Sequence, residues 1–195
     1  MQPRFDAAYE AIDAANARDP NRLVVDGVER AKELVHADAV ERWVRHLDPE
    51  ADELQILAAR AHHLRRWATP RTAYPAGRAG YLRWRRDQQQ RQAAEVAAIV
   101  GSSGYDEEAA ERVAAIVAKR GLGRDRSVQV HEDALCLAFL ELQLDELADQ
   151  MGPDRTIDVV AKTIKKMSPA AVAAAAGVAL SPEGARLLAR AVERP

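Results

Sequence analysis

His36, the adjacent pair His62-His63, and the run His131-Glu132-Asp133 are the side chains of this sequence whose types suit metal ligation or proton transfer. Neutral imidazole accepts Fe, Zn, Cu or Ni, and a carboxylate adds affinity for harder ions such as Mn. His36, His62, His63 and Asp133 are therefore candidate ligands of a divalent metal, with Fe or Mn favoured. His131 and Glu132 are the candidates for catalytic proton transfer. The plain alternative for Glu132 and Asp133 is a helix N-terminus whose acids complement the macrodipole, worth about 0.3 to 1 kcal/mol each. For His36 and His62 the alternatives are a half-buried and a solvated helix residue.

A second chemistry stands beside the paired histidines. From Arg60 to Arg86 the chain carries eight arginines, two of its three tryptophans and not one carboxylate. Guanidinium forks bind phosphate or carboxylate in bidentate fashion and stack on aromatic rings. Arg66, Arg71, Arg78 and Arg85, with Tyr74, Tyr81 and Trp84, are accordingly candidates to hold a small anionic substrate. The alternative is structural: arginine stems packed on tryptophan, heads paired with neighbouring carboxylates.

These groups sit in a chain of 195 residues, 48% hydrophobic, with a formal net charge of -2 and a pI near 6.2. That length predicts one domain spanning 1–195. The near-neutral balance argues against bulk nucleic-acid binding, which calls for an overall basic domain. Cys136 has no second cysteine to pair with, and no apolar run reaches signal-peptide or membrane-spanning length. A cytoplasmic protein without membrane contact is expected. No nucleophile elbow, P-loop, Rossmann fingerprint or CxxC site occurs, and a thiol inside an apolar helix should be inert.

The elements that must position these residues read as all helical. Alanine, leucine, arginine and glutamate dominate, and Pro and Gly punctuate at intervals. Helices are expected over Phe5–Ala17, stopped by Arg18-Asp19-Pro20-Asn21, and over Gly27–His46. A third opens at Asp48-Pro49-Glu50 and ends near Trp67. At about 100° per residue, its Leu54, Leu57, Ala61, Leu64 and Trp67 share a face, His63 lies at the border and His62 points nearly opposite. An irregular arginine-bearing loop follows at 68–80, broken by Pro70, Pro75, Gly77 and Gly80. Further helices are expected over Ala79–Val100, Asp106–Arg120 and Arg126–Gln150. The last contains ALCLAFLEL, apolar in every direction and so buried centrally. Ser168-Pro169 and Ser181-Pro182 should cap two short C-terminal helices within 169–193.

The placement of His36, His62-His63 and Asp133 resembles the ligand layout of HD-domain metalloproteins, with His-His standing where that layout has His-Asp. Such a resemblance implies a helical bundle and a metal site. A second resemblance covers nearly the whole chain. ANARDPN, LAARAHHLRRWATPRTAYPAGRAGYLRWR, HEDALCLAFLE and KTIKKMS look like the successive blocks of the domain-of-unknown-function family 4202. That family implies no settled activity. Its pattern has Gln-His at the place of His62-His63, a histidine at the place of Gln92 and a leucine at the place of His131, whereas Glu132 and Asp133 match.

Two functions follow from these readings. One is a metal-dependent, HD-like enzyme acting on a small anionic, phosphorylated or carboxylated substrate by hydrolysis or oxygenation. The other is a non-catalytic helical module that binds a nucleotide or acidic partner through the arginine-rich loop, with Glu132 and Asp133 as salt-bridge partners of its arginines.

Overall fold

A computed structural model describes residues 3–194. Along the chain run α1 (Pro3–Asn16), β1 (Arg22–Val25), β2 (Val28–Ala31), α2 (Lys32–Leu47), α3 (Glu53–Ala61), α4 (Gly77–Ser102), α5 (Glu107–Val117), α6 (Arg126–Met151), α7 (Pro153–Ile164), α8 (Pro169–Ala174) and α9 (Pro182–Val192). The fold is all-α apart from one antiparallel hairpin, β1 against β2, with Val25 opposite Val28. Among the described residues no helix is long and apolar enough to cross a membrane.

The hairpin replaces the first part of the helix expected from Gly27. Asp26 and Gly27 both take positive φ, 51° and 77°, the pairing that a two-residue hairpin turn demands and that Asp-Gly tolerates. The helix expected from Asp48 starts later, at Glu53. Asp52 accepts from the Gln55 amide while the Gln55 side chain accepts from the Asp52 amide, a reciprocal capping box. Asp48 closes α2 instead, its amide donating to the Val44 carbonyl. The irregular segment is shorter than 68–80, since two 3-10 turns occupy Arg66–Ala68 and Arg71–Ala73 and α4 begins at Gly77. Gly80 is required there, because a Cβ would come within 1.9 Å of the Pro75 carbonyl oxygen.

Ser168 and Ser181 cap α8 and α9 as expected, accepting from the Ala171 and Gly184 amides. The helix α7 had no counterpart in the sequence reading. It buries Ile157, Val160 and Ala161.

Three groups of buried apolar side chains hold the helices together. Leu57, Val96 and Val113 join α3, α4 and α5, while Leu137, Ile157 and Leu187 join α6, α7 and α9. Val40, Ile56 and Ala134 join α2, α3 and α6 between them. Leu57, Leu137, Ile157 and Val113 are each 0% exposed, and each such side chain contributes about 1.5 to 3 kcal/mol through its removal from water. The chemistry-bearing residues come from the ends of the helices that meet in the middle group.

Candidate metal centre

The local sequence explains how histidines 26 positions apart come together. Asp19, fully buried in the turn after α1, accepts from the Asn21 amide at 2.9 Å and from the Glu33 amide at 3.1 Å. It thereby satisfies the start of α2, which has no cap of its own. Glu33 and His36 lie one turn apart on α2 and face the same way. The α3 helix ends at Ala61, after which Arg65 adopts a left-handed φ of 49°. Asn16 fixes this exit: its amide nitrogen donates to the Arg60 carbonyl at 3.2 Å and its oxygen accepts from the Arg65 amide at 3.4 Å.

His62 keeps helical backbone angles at the end of α3, and its ring and that of His63 nevertheless lie side by side. Their ring centroids lie 4.0 Å apart, and His36 lies 5.9 Å from His63. One ligand atom from each of His36, His62 and His63 falls within 4.8 Å of the others. His62 Nδ1 donates to the Ala59 carbonyl at 3.2 Å, which leaves Nε2 as the nitrogen with a free lone pair. Glu33 Oε2 stands 3.2 Å from His63 Nδ1 and 3.7 Å from His36 Nδ1, and His36 Nε2 has no partner. These three histidines could hold a metal ion, with the Glu33 carboxylate beside them.

Electrostatics favour the ligating forms of the imidazoles. Burial, then the neighbouring cationic and histidine groups, hold His62 and His63 well below the usual histidine range, and burial lowers His36 despite Glu33. All three are neutral at neutral pH; the His63 Nε2 lone pair accepts from Arg66, which must give way for that nitrogen to ligate an ion. Burial pushes the Glu33 carboxyl up to about 7, His36 and Arg66 opposing the rise.

Of the other expected site residues, Asp133 does not join the group. Its Oδ1 accepts from Gln129 Nε2 and from the Ser168 amide, both at 2.9 Å, tying α6 to the start of α8. The HD-type ligand set is thus not assembled through Asp133, and the carboxylate beside the histidines is Glu33. Glu132 is 3% exposed and ion-paired with Lys119 and, at 3.4 Å, with Lys166. Burial alone would raise its pKa, but Lys119 holds it below the usual range. An anchored carboxylate of this kind positions lysines and is not poised as a base. It also does not pair with loop arginines, contrary to the binding-module expectation. His131 is 2% exposed, burial lowers its pKa to about 3, and neither ring nitrogen has a partner. Cys136 is buried, which pushes its thiol up to about 12, as an inert thiol requires.

The arginine-rich stretch divides. Arg71 donates to the carbonyls of Tyr74, Pro75 and Gly77, and Tyr74 donates to Asp87, so both hold the loop together. Arg78 is exposed and lines neither cavity. Arg66 and Arg85, by contrast, line both of two adjoining cavities, of about 280 and 520 Å³, and Tyr81 lines the larger. His62, His63 and Lys119 belong to both walls, so the histidine group sits where the cavities meet. Arg66 donates to His63 Nε2 at 2.6 Å and lies 5.0 Å from the Trp84 ring, without a carboxylate partner among the described residues.

Sequence reasoning missed Glu33 and Lys119. The spacing Glu33-x-x-His36 was a readable signal for the first. Nothing announced the second, since Lys119 reaches the cavities from a left-handed φ of 53°. The three places where the chain departs from the expected pattern, His62, Gln92 and His131, line the same smaller cavity.

The sequence model of a protein family described as a domain of unknown function, DUF4202, matches residues 6–188. No curated protein and no solved structure matches the chain.

Proposed function

From the premise that this chain belongs to the DUF4202 family, whose description names no reaction, we propose that it is a metal-dependent enzyme acting on a small anionic substrate. The observation that carries this reading is the convergence of His36, His62 and His63, with ligand atoms within 4.8 Å of one another, at the junction of two cation-lined cavities. Three neutral imidazoles with a carboxylate alongside suit Fe or Mn. Bound there, such an ion would supply a Lewis acid for hydrolysis of a phosphorylated or carboxylated compound, or a centre for its oxygenation.

The chain's own residues have distinct parts in this. Ala59 fixes the tautomer of His62 through its carbonyl. Glu33 accepts the proton of His63 Nδ1 or offers an oxygen to the ion. Arg66 and Arg85 have no carboxylate partner among the described residues and neutralise substrate charge where it develops. Glu132 holds Lys119 over the same space.

The unpaired arginines also support a second reading, a non-catalytic module that binds an anion. Metal content separates the two. Purified protein, and protein reconstituted with Fe(II) or Mn(II) without oxygen, should hold near-stoichiometric metal by elemental analysis. His36→Ala and His63→Ala should lose it while keeping wild-type circular dichroism. No transition metal after reconstitution would sink the enzyme reading and leave the module.

A further inference from the structure

The smaller cavity contains two buried polar side chains that the metal reading does not use. His131, on α6, is 2% exposed with both ring nitrogens unpartnered. Gln92, on α4, is 5% exposed, lines the same cavity and makes no hydrogen bond with the described residues. Buried polar groups are nearly always satisfied, so a buried imidazole with both nitrogens unpartnered among the described residues, in the lining of a cavity that Gln92 shares, marks a place for a ligand. Gln88 shows what a structural glutamine looks like here: it donates to the carbonyls of Arg66 and Thr69 and accepts from Arg91.

The chemistry of the walls narrows the ligand. A neutral imidazole and a carboxamide each present one face that donates and one that accepts. An anionic oxygen would satisfy only the donors. Away from the histidine junction, an organic cation would meet Arg85 and Arg86 in a wall that contains no carboxylate. A hydroxyl group, itself donor and acceptor, matches both side chains. Leu82, Trp84, Val117 and Leu135 add an apolar part of the wall, beside Gln88 and Gln89, which suits the C–H face of a polyhydroxylated ring. The cations stand at the histidine junction, and the larger cavity sets Arg66, Arg85, Lys119, Lys162 and Lys166 against the carboxylate of Glu132 alone. That excess suits a dianion.

We propose that the smaller cavity is the subsite for the hydroxyl-bearing part of a sugar-type or polyol-type phosphate monoester, read by His131 and Gln92 while Arg66 and Arg85 take the phosphate. This rests on the reading of the cationic junction as a substrate site, and it adds the substrate class.

Titration calorimetry with ribose 5-phosphate and with pentyl phosphate as probes tests it, on metal-free and on Mn(II)-reconstituted protein. Wild-type protein should bind ribose 5-phosphate at least about tenfold more tightly than pentyl phosphate, the worth of one or two hydrogen bonds. His131→Leu and Gln92→Leu should each erode that preference and leave pentyl phosphate binding unchanged, and Arg66→Ala should weaken both probes. Since neither side chain bonds to another described residue, the two leucine variants should keep the wild-type fold by circular dichroism. Equal binding of the two probes, a preference that survives both leucine variants, or binding of neither probe would overturn the subsite. A protein that takes up no metal but keeps the preference loses only the enzyme reading. A stoichiometric metalloprotein without the preference loses only the subsite.

Discussion

Arg60 and Arg66 are six residues apart, both largely withdrawn from water, and could hardly be more differently provided for. Arg60 donates to Asp13 at 2.6 and 3.0 Å, to Asp38 at 2.5 Å and to Glu41 at 3.4 Å, and lies 4.6 Å from the Tyr9 ring. Burial disfavours its charge, yet Asp13 and Asp38 hold its pKa above the ordinary value. Arg66 has a histidine nitrogen and a tryptophan face, and burial lowers its pKa. A buried cation enclosed by carboxylates is part of the scaffold. One that lines a cavity with no carboxylate at ion-pair distance is placed to meet an anion under the proposed function.

The largest expected effects test that contrast directly. Arg60→Ala leaves carboxylates of α1 and α2 facing one another, and should destabilise the fold by about 3 kcal/mol, the lower end for a broken buried pair because Asp13 and Asp38 are about a third exposed. At about 2 to 4 °C per kcal/mol for a chain of this size, the melting temperature should fall by about 6 to 12 °C. Arg66→Ala should move stability by less than about 1 kcal/mol while weakening phosphate-ester binding about tenfold or more. Equal losses of melting temperature in the two variants would make Arg66 a scaffold residue and break the comparison.

An effect that is smaller per pH unit separates the regions by pH. The folded pKa of His131, about 3, lies below the ordinary 6.5, so unfolding takes up a proton between those values. Its contribution to stability is complete above about pH 6.5 and is lost as pH falls toward 3, with a slope of about 1.4 kcal/mol per pH unit. His36, His62 and His63 act in the same direction. Glu33 opposes them: its folded pKa is raised to about 7, so its contribution is present below its unfolded value and lost as pH rises through 7. In the ion network the pKa of Asp38 is lowered from 3.8, so that region fails only below about pH 4. Metal-free protein should therefore lose stability between about pH 6.5 and 4 through the histidine centre. His131→Leu should remove one proton's slope from a denaturant series in that window. An unchanged slope would mean that His131 is not held neutral by burial.

The sequence announced the centre better than its geometry. Three of the four expected metal ligands converge, and α6 begins at Arg126 as expected because Asp125 accepts from the Ser127 and Val128 amides. What failed was extrapolation past a helix end. An ideal helix carried beyond Ala61 points His62 nearly opposite to the face that His63 borders, but the two rings lie 4.0 Å apart and both line the cavities, a side-chain placement that one dimension does not advertise. The hairpin was legible in Val-Val-Asp-Gly-Val and was overridden by helix-forming neighbours. The helix α7 was legible in the spacing of Ile157, Val160, Ala161 and Ile164, behind Gly152-Pro153. Lys119 was not legible at all, because its position depends on a backbone conformation that non-glycine residues seldom adopt.

The smallest expected effect concerns the one carboxylate that both regions could claim. Under an HD-type layout Asp133→Asn should abolish metal uptake. Its Oδ1 instead accepts from Gln129 and the Ser168 amide, and asparagine keeps an acceptor at that place while removing the charge. Asp133→Asn should leave metal stoichiometry unchanged and lower stability by about 1 kcal/mol, or about 2 to 4 °C. Asp133→Ala should cost more, since the Ser168 N–H at the head of α8 would then have no acceptor there. A variant that melts like wild type but carries no metal would put Asp133 among the ligands. It would also move the boundary between scaffold and site from α3 to α6.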